Sequence, residues 1–293
     1  MRLLDILELL LLSALWGGSF LFMRIAAPTL GPVWLIECRV LFAGLALLPL
    51  LIRSSLAKSL TRQNLKTLFV VGSINSALPF LLLAFASLSL PAGYTSIINA
   101  TAPLFGTLIA ATWFDEKLTA ARIIGLLFGF TGVVLLIGLQ PIALTASVVS
   151  SIVAGLLAAV MYAIAAPYAK RHLVGIPPIV TATMTQLCAA IAILPFIPFS
   201  VPTSTLSSTI VLAVLALALF STALAYLLYF RLIQNIGASK ALTVTYLVPV
   251  FAVLWGALFL HESVTVAMVL GCCFILIGTA IANGLLFSFS RQS

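Results

Sequence analysis

Apolar stretches of about 20 residues alternate along the chain with short segments that hold glycine, proline or charged residues. A hydrocarbon core about 30 Å thick is crossed by roughly 20 apolar residues in a helix. The pattern therefore predicts an all-α integral membrane protein with about ten transmembrane helices. The predicted spans are Ile6–Ile25, Val33–Ile52, Leu65–Ser87, Ala92–Phe114, Ala120–Leu139, Val148–Tyr168, Ile179–Phe199, Thr209–Ile233, Ala238–Leu260 and Val266–Phe287.

The chain also repeats itself at a constant offset of 146 residues, which carries Pro103 onto Pro249. Internal similarity in a strongly apolar chain is typical of transporters built from two related halves. We therefore predict two repeats, residues 1–144 with helices 1–5 and residues 145–293 with helices 6–10.

An odd number of crossings in each half turns the second half upside down, so that the two halves form inverted repeats. The basic residues test this orientation, because cytoplasmic loops are enriched in Lys and Arg. With the amino terminus in the cytoplasm, only Arg24 and Arg39 of the 14 Lys and Arg fall at the outer side or inside a span. We expect a plasma (bacterial inner) membrane protein with both termini in the cytoplasm.

Composition agrees with this class. With 63% hydrophobic residues, 7% charged residues and a mean hydropathy of +1.29, 293 residues offer too little polar surface for a soluble protein. The net charge of +8 comes from basic residues in short loops between the spans, which we interpret as topology signals and contacts with the lipid bilayer. Nucleic-acid binding is not expected. Cysteine and histidine spacing and the missing nucleotide and hydrolase motifs predict no cofactor, no metal site and no enzyme activity.

Pro103 and Pro249 are candidate helix breaks, because a proline within a span frees a carbonyl one turn earlier and bends the helix. The bend either shapes a packed scaffold or opens a polar notch near the middle of the membrane for a substrate. Glu116 and Glu262 follow these spans, each shortly before a threonine that suits the N-cap of the next helix. We interpret both acids as helix-terminus devices that complement the helix dipole rather than as proton carriers.

Glu37 is the acid that lies clearly inside a span and has no acidic counterpart in the other half. An ionisable group within the membrane is a functional-site hypothesis, and Arg39 or Arg24 is its candidate partner. Glu37 and Arg39 are therefore candidates for coupling transport to protons. The alternative is structural, since a pair one or two turns from the surface can reach the interface or lock neighbouring helices.

Aromatic and amide side chains within the spans are candidates for a substrate cavity, because buried polar groups must face other helices or a wet cavity. For each of them, contact between helices is the competing interpretation. The candidates are Trp16, Asn75, Asn99, Tyr162, Gln186, Tyr226 and Tyr246. Glycine stripes in the fifth span pack helices either within one chain or between two, so the oligomeric state is left open.

Three motifs stand out in the sequence: the opening ALWGGSFLFMRIA, ECRVLFAGLALLP in the second span, and a tail P-x-F…E-x-[LV]-T…G in both halves. By these motifs the chain resembles the ten-helix EamA-type exporters of the drug/metabolite transporter superfamily over essentially its full length. The family's WG and its span-two arginine fall on Trp16, Gly17 and Arg39. Its paired prolines and acidic turns fall on Pro103, Pro249, Glu116 and Glu262. AAVMYAIAA replaces the WG run in the second repeat, and Glu37 departs from the family pattern.

The resemblance implies two inverted five-helix repeats around a central cavity and export of small metabolites by alternating access. The candidate residues favour neutral, zwitterionic or amphipathic cargo such as amino acids, because a phosphate-bearing cargo calls for several cations at mid-depth. The alternatives are a cationic-drug exporter that uses Glu37 as the charge partner, an uncoupled facilitator or channel, and a scaffold without transport.

Overall fold

A computed structural model of the protein describes residues 2–54, 56, 61–113, 118–139, 143–202 and 205–283. The described residues are helical almost throughout and contain no β-strand. Glu116 and the predicted span ends Phe114 and Phe287 lie outside the described residues. The all-helical class predicted from the apolar pattern is therefore confirmed for the part of the chain that is described.

Most connections between the helices are short. The α-helices of the first half are α1 (Leu3–Arg53), α2 (Arg62–Gly72), α3 (Leu78–Ala86), α4 (Ala92–Asn99), α5 (Ala102–Trp113) and α6 (Ala120–Gly138). Those of the second half are α7 (Ala146–His172), α8 (Pro178–Ile193), α9 (Ser208–Ala218), α10 (Ala225–Ile236), α11 (Ala238–Ala241), α12 (Val244–Leu260) and α13 (Val266–Ala282). A 3-10 helix, Leu194–Phe199, follows α8 directly.

The long helix α1 contains a sharp turn at Gly31, which separates the first two predicted spans. Gly31 has φ 72° and ψ 157°, a conformation that residues with a Cβ rarely adopt. Pro32 follows it and cannot continue the hydrogen-bond ladder of the first segment. The chain therefore reverses at Gly31, and Trp34 Nε1 fixes the corner by donating to the carbonyl of Ser200 at 2.6 Å.

Seven helical stretches within the described residues are long and apolar enough to cross a membrane, and α12 and α13 are shorter apolar helices. The helix bundle has two ends. The N-terminal end holds the start of α1, where Glu8 pairs with Arg231 at 3.2 Å, and the end of α13. The Gly31 end holds the start of α4 and the loop between α12 and α13.

Threonine and serine side chains cap several of these helices. The Thr119 hydroxyl accepts a hydrogen bond from the backbone N–H of Arg122, and Thr265 does the same for Met268. An N-cap of this kind stabilises a helix by about 1 kcal/mol, since it satisfies a backbone donor that has no partner within the helix. The N-caps predicted after the two acidic turns are therefore confirmed.

Helices α6 and α13 pack closely and antiparallel through glycines that are related by the offset of 146. A Cβ on Gly132 would lie 2.8 Å from the carbonyl oxygen of Gly271, and one on Gly125 would lie 2.6 Å from that of Gly278. Only glycine permits this approach of the two backbones. The glycine stripe of the fifth span thus packs within the chain.

Candidate functional site

A cavity of about 1000 Å³ lies between the two halves and reaches the N-terminal end of the bundle. Helices α1, α3, α4 and α5 contribute walls from the first half, and α7, α10, α12 and α13 contribute walls from the second. Residues singled out from the sequence that line it are Trp16, Arg39, Asn75, Asn99, Pro103, Tyr162, Tyr226, Tyr246 and Pro249. The residues of the Gly31 end do not contribute to the described wall.

Gln186 and Glu37 are not among the residues of this wall. Gln186 Nε2 donates to the hydroxyl of Ser76 at 3.1 Å, so that its amide joins α8 to the third predicted span. Glu37 is buried, and its Oε2 has no hydrogen-bond partner among the described residues.

The ion pair expected between Glu37 and Arg39 or Arg24 is absent from the described residues. Two positions along a helix correspond to a rotation of about 200° around its axis, so the two side chains lie on nearly opposite faces. Arg39 lines the cavity, and Glu37 therefore faces away from it. Arg24 lies beside Glu262, with 3.7 Å between Nε and Oε1. The predicted pairing of Glu37 with Arg39 is therefore wrong, because residues that are close along the chain can lie on opposite faces of a helix.

Two π-helical turns, one in each half, border the cavity. They comprise Ser73–Ala77 and Leu219–Leu224, and the offset of 146 carries the first onto the start of the second. A π-turn inserts one extra residue into an α-helix and occurs frequently at functional sites. Here the turns present Asn75 and Ser221, which are counterparts in the two halves, to the cavity.

The guanidinium of Arg39 occupies the deep part of the cavity wall. Its carbon lies 3.6 Å from the ring centroid of Phe80, and its Nε donates to the Thr222 hydroxyl at 3.0 Å. Thr222 belongs to the second π-turn and donates in its own right to the carbonyl of Leu217 at 2.8 Å. The π-turn thus supplies the acceptor that holds the arginine over the phenylalanine ring.

Several polar atoms of the cavity wall have no hydrogen-bond partner among the described residues. The hydroxyls of Ser19, Ser96, Ser221 and Thr279 and the Oδ1 of Asn99 are buried and unpartnered. Buried polar groups in folded proteins are nearly always hydrogen-bonded, because an unmade bond costs about 1–3 kcal/mol. All of them belong to residues that line the cavity, so its wall holds polar atoms that the described residues leave without partners.

The WG pair at the start of the chain combines a wall residue with a close helix contact. The Trp16 ring lies 5.2 Å from that of Tyr229, and both rings line the cavity. A Cβ on Gly17 would lie 2.7 Å from the Cβ of Phe251 and 2.9 Å from the backbone nitrogen of Ala252. Glycine at this position therefore allows α1 to approach α12 closely, next to the wall residue Trp16.

The two candidate helix breaks behave differently. Helix α4 ends at Asn99 and α5 begins at Ala102, so the interruption immediately precedes Pro103. Helix α12 continues through Pro249 without a break, and the corresponding span is interrupted at residues 242–243 instead. Membrane helices tolerate proline when neighbouring groups accommodate the freed carbonyl, so the residue type alone did not locate the interruption.

At the Gly31 end, Glu262 joins the two halves. Both of its carboxylate oxygens accept from the backbone N–H of Ala92, at 2.9 and 3.1 Å, at the start of α4. Arg24 lies beside this carboxylate, and its Nη1 donates to the carbonyls of Ser87 and Leu88 at 2.8 and 2.9 Å. Glu262 thus complements a helix N-terminus as predicted, but the helix belongs to the other half.

Several residues of the wall were not predicted from the sequence, among them Ser19, Phe80, Ser221 and Thr279. For some of them a signal was present. The offset of 146 carries Asn75 onto Ser221 and Phe80 onto Tyr226, so each sequence-based candidate pointed to a counterpart. Serine and threonine in apolar spans did not by themselves indicate a cavity, because their hydroxyls can also form hydrogen bonds to backbone carbonyls of their own helix.

Comparison with known proteins identifies the family. The model of the "EamA-like transporter family" matches residues 4–138 and again residues 149–284. A solved crystal structure with 21% sequence identity superposes with a TM-score of 0.63 over 100% of both chains, which shows that the fold is shared.

Curated relatives span nearly the whole chain. The "Uncharacterized transporter YoaV" of Bacillus subtilis is 26% identical over 98% of both chains. Protein PecM of Dickeya dadantii is 28% identical over 94% of this chain and 91% of its own length. An "Uncharacterized transporter" of Archaeoglobus fulgidus is 23% identical over 90% of this chain and 92% of its own. The chain therefore belongs to the EamA-like transporter family and is a multi-pass membrane transporter.

Proposed function

We propose that the protein is a secondary transporter that exports small neutral, zwitterionic or amphipathic metabolites, such as amino acids or related compounds, by alternating access. The observation that carries this proposal is the cavity, which both halves line and which reaches one end of the bundle. Its volume of about 1000 Å³ suits a small metabolite.

The proposed architecture has ten crossings in two inverted five-helix repeats. Helix α1 has 51 residues, about twice the length that one crossing needs, and turns at Gly31. Counting its two segments separately, with α12 and α13, brings the seven candidate spans to ten. The antiparallel packing of α6 on α13 and the paired π-turns support a twofold relation between the repeats.

Alternating access is supported by a difference between residues that correspond in the two halves. Arg24 lies beside Glu262 at the Gly31 end, where contacts bridge the halves. The offset of 146 carries Arg24 onto Lys170, which instead lines the open cavity at the other end. We propose that these ends exchange roles during transport. In the membrane, the N-terminal end faces the cytoplasm, as the distribution of Lys and Arg predicts.

Proton coupling through Glu37 is the proposed source of energy. The side chain is buried among apolar helices, and one carboxylate oxygen lacks a partner among the described residues. A buried group of this kind is expensive unless it binds a proton or an ion during function. Arg39 faces the cavity and contributes to cargo binding rather than to the proton step.

Flux in proteoliposomes tests the proposal. Radiolabelled amino acids, offered singly, are expected to accumulate against their gradient when a pH gradient is imposed. Equilibration without accumulation indicates an uncoupled facilitator or channel, and the absence of flux for every amino acid contradicts the proposed function. Glu37→Gln is expected to abolish the dependence on the pH gradient, whereas normal gradient-driven uptake by this variant eliminates the coupling role.

A cationic-drug exporter with Glu37 as charge partner is a weaker alternative. The described wall of the cavity contains no carboxylate, and Glu37 is not part of it. A cation in the cavity would therefore meet aromatic faces but no opposite charge. Ethidium flux in the same proteoliposomes, with and without Glu37→Gln, distinguishes this alternative from metabolite export.

A further inference from the structure

We propose that Arg39 is the anion-recognition site of the cavity, and that the cargo carries one carboxylate beside an apolar or aromatic body. This inference rests on the proposed function and names the substrate class for the same cavity. In this proposal Arg39 contacts the cargo carboxylate directly, through the guanidinium edge for which the described residues supply no oxygen acceptor.

The fixed charges of the cavity have one sign. Among the described residues that line it, the charged side chains are Arg39, Lys170 and Arg171, and none is acidic. Lys170 and Arg171 are exposed near the N-terminal end, whereas Arg39 is only 4% exposed. Walls with a single sign of charge and apolar surroundings concentrate ligands of the opposite sign. The cavity is therefore built to attract anions and to bind them at depth.

Arg39 lacks a charge partner among the described residues. Its Nε bonds Thr222, and Nη1 has only the thioether sulfur of Met23 at 3.9 Å, which is a weak acceptor. No carboxylate of a described residue lies within 4.0 Å of the guanidinium, and no described residue accepts a hydrogen bond from Nη2. A charge buried in the membrane without a partner is costly, so its presence needs an explanation.

A cargo carboxylate supplies the missing partner. A guanidinium has five N–H donors in a rigid fork that matches the two oxygens of a carboxylate. Because Thr222 holds Nε and Phe80 supports the plane, the Nη1 and Nη2 edge stays oriented before the cargo arrives. Binding then orders little of the protein, which favours affinity.

The remainder of the wall selects the rest of the cargo. Trp16, Phe20, Tyr162 and Tyr229 offer apolar and aromatic surface for a hydrophobic body. Asn99 lines the same wall and brings an amide group to it, so a zwitterion with an ammonium group also fits. A phosphate dianion calls for a second buried cation, and the described wall holds only Arg39 at depth. The favoured class is therefore a monocarboxylate.

Matched pairs of ligands test this inference by binding alone. The purified full-length protein is titrated calorimetrically with 3-phenylpropionate, hexanoate and L-phenylalanine, and with the corresponding amide of each. Wild-type protein is expected to bind at least one carboxylate tenfold or more tightly than its amide. Arg39→Gln is expected to remove this preference, and Arg39→Lys to retain it in part because the charge remains without the fork.

Arg62→Gln is the matched control, since it removes the same charge from an exposed residue outside the cavity. It is expected to keep the wild-type preference. Three results overturn the inference: wild-type protein that binds none of the carboxylates, a preference that persists in Arg39→Gln, or tighter binding of phenyl phosphate than of 3-phenylpropionate.

A second variant covers the case in which Arg39→Gln does not fold, as judged by size-exclusion chromatography. Thr222→Val removes the acceptor of Nε and keeps the arginine, and we expect carboxylate binding to weaken severalfold while amide binding is unchanged. Equal loss for acid and amide contradicts the inference. Binding that depends on Arg39 without any flux refutes the proposed function alone, whereas flux that is indifferent to Arg39→Gln refutes the anion site alone.

Discussion

The substitution Gly132→Ala tests the packing of α6 on α13, on which the relation between the halves depends. The added Cβ would lie 2.8 Å from the carbonyl oxygen of Gly271 and 2.8 Å from the backbone nitrogen of Ile275. Because both obstacles are backbone atoms of the facing helix, no side-chain rotation relieves them. Helix α13 has to retreat by about 0.6 Å to restore ordinary contact, which forfeits a quarter or more of the dispersion energy nearby.

Overpacking by one methyl group against a rigid backbone destabilises a protein by about 1–3 kcal/mol. Alanine also has a higher helix propensity than glycine, by up to about 1 kcal/mol, which acts in the opposite direction. Gly138→Ala at the end of the same helix is the matched control, because a Cβ there meets no atom within 4 Å. The comparison of the two variants isolates the steric contribution.

The free energy of unfolding is measured by reversible denaturation in mixed micelles, with SDS as the denaturant and circular dichroism as the signal. Gly132→Ala is expected to unfold about 1–3 kcal/mol more easily than Gly138→Ala. Equal stability of the two variants, within about 0.5 kcal/mol, refutes the close backbone contact, since surface substitutions of this size usually fall in that range.

Further predictions concern the Gly31 end and the aromatic wall. Glu262→Gln leaves the Ala92 N–H and Arg24 without their carboxylate, so a single cysteine at Leu88 is expected to react faster with an impermeant maleimide. Gly17→Ala is expected to lower the melting temperature, because its Cβ meets the backbone of α12.

The apolar pattern located the helices well because burial in a bilayer imposes one simple requirement along each span. The boundary between the first two spans was likewise predictable, since glycine followed by proline at Gly31 ends a helix locally. The position of the interruption near Pro249 was not predictable, because the tertiary surroundings decide whether a proline breaks a membrane helix. The structure puts that interruption six residues earlier, at Thr243.

The candidate site was predictable in composition but not in its pairings. Aromatic and amide residues in apolar spans pointed to cavity walls, and Trp16 and Tyr226 do line one. The partners of Arg39 and Glu262 come from distant parts of the chain, so no local spacing indicated Thr222 or Ala92. The π-turns could not be predicted from the sequence, because one inserted residue leaves the apolar composition of a span unchanged.

Accessibility of the cavity from both sides of the membrane tests alternating access most directly. A single cysteine replaces Asn99 in protein whose native cysteines are changed to alanine, and an impermeant maleimide is applied to either face of sealed vesicles. We predict labelling from both faces, in proportions that shift when a transported cargo is added, because Asn99 lines the cavity and the proposed alternating access would expose this cavity to each side in turn. Labelling from one face alone, with and without cargo, contradicts the account.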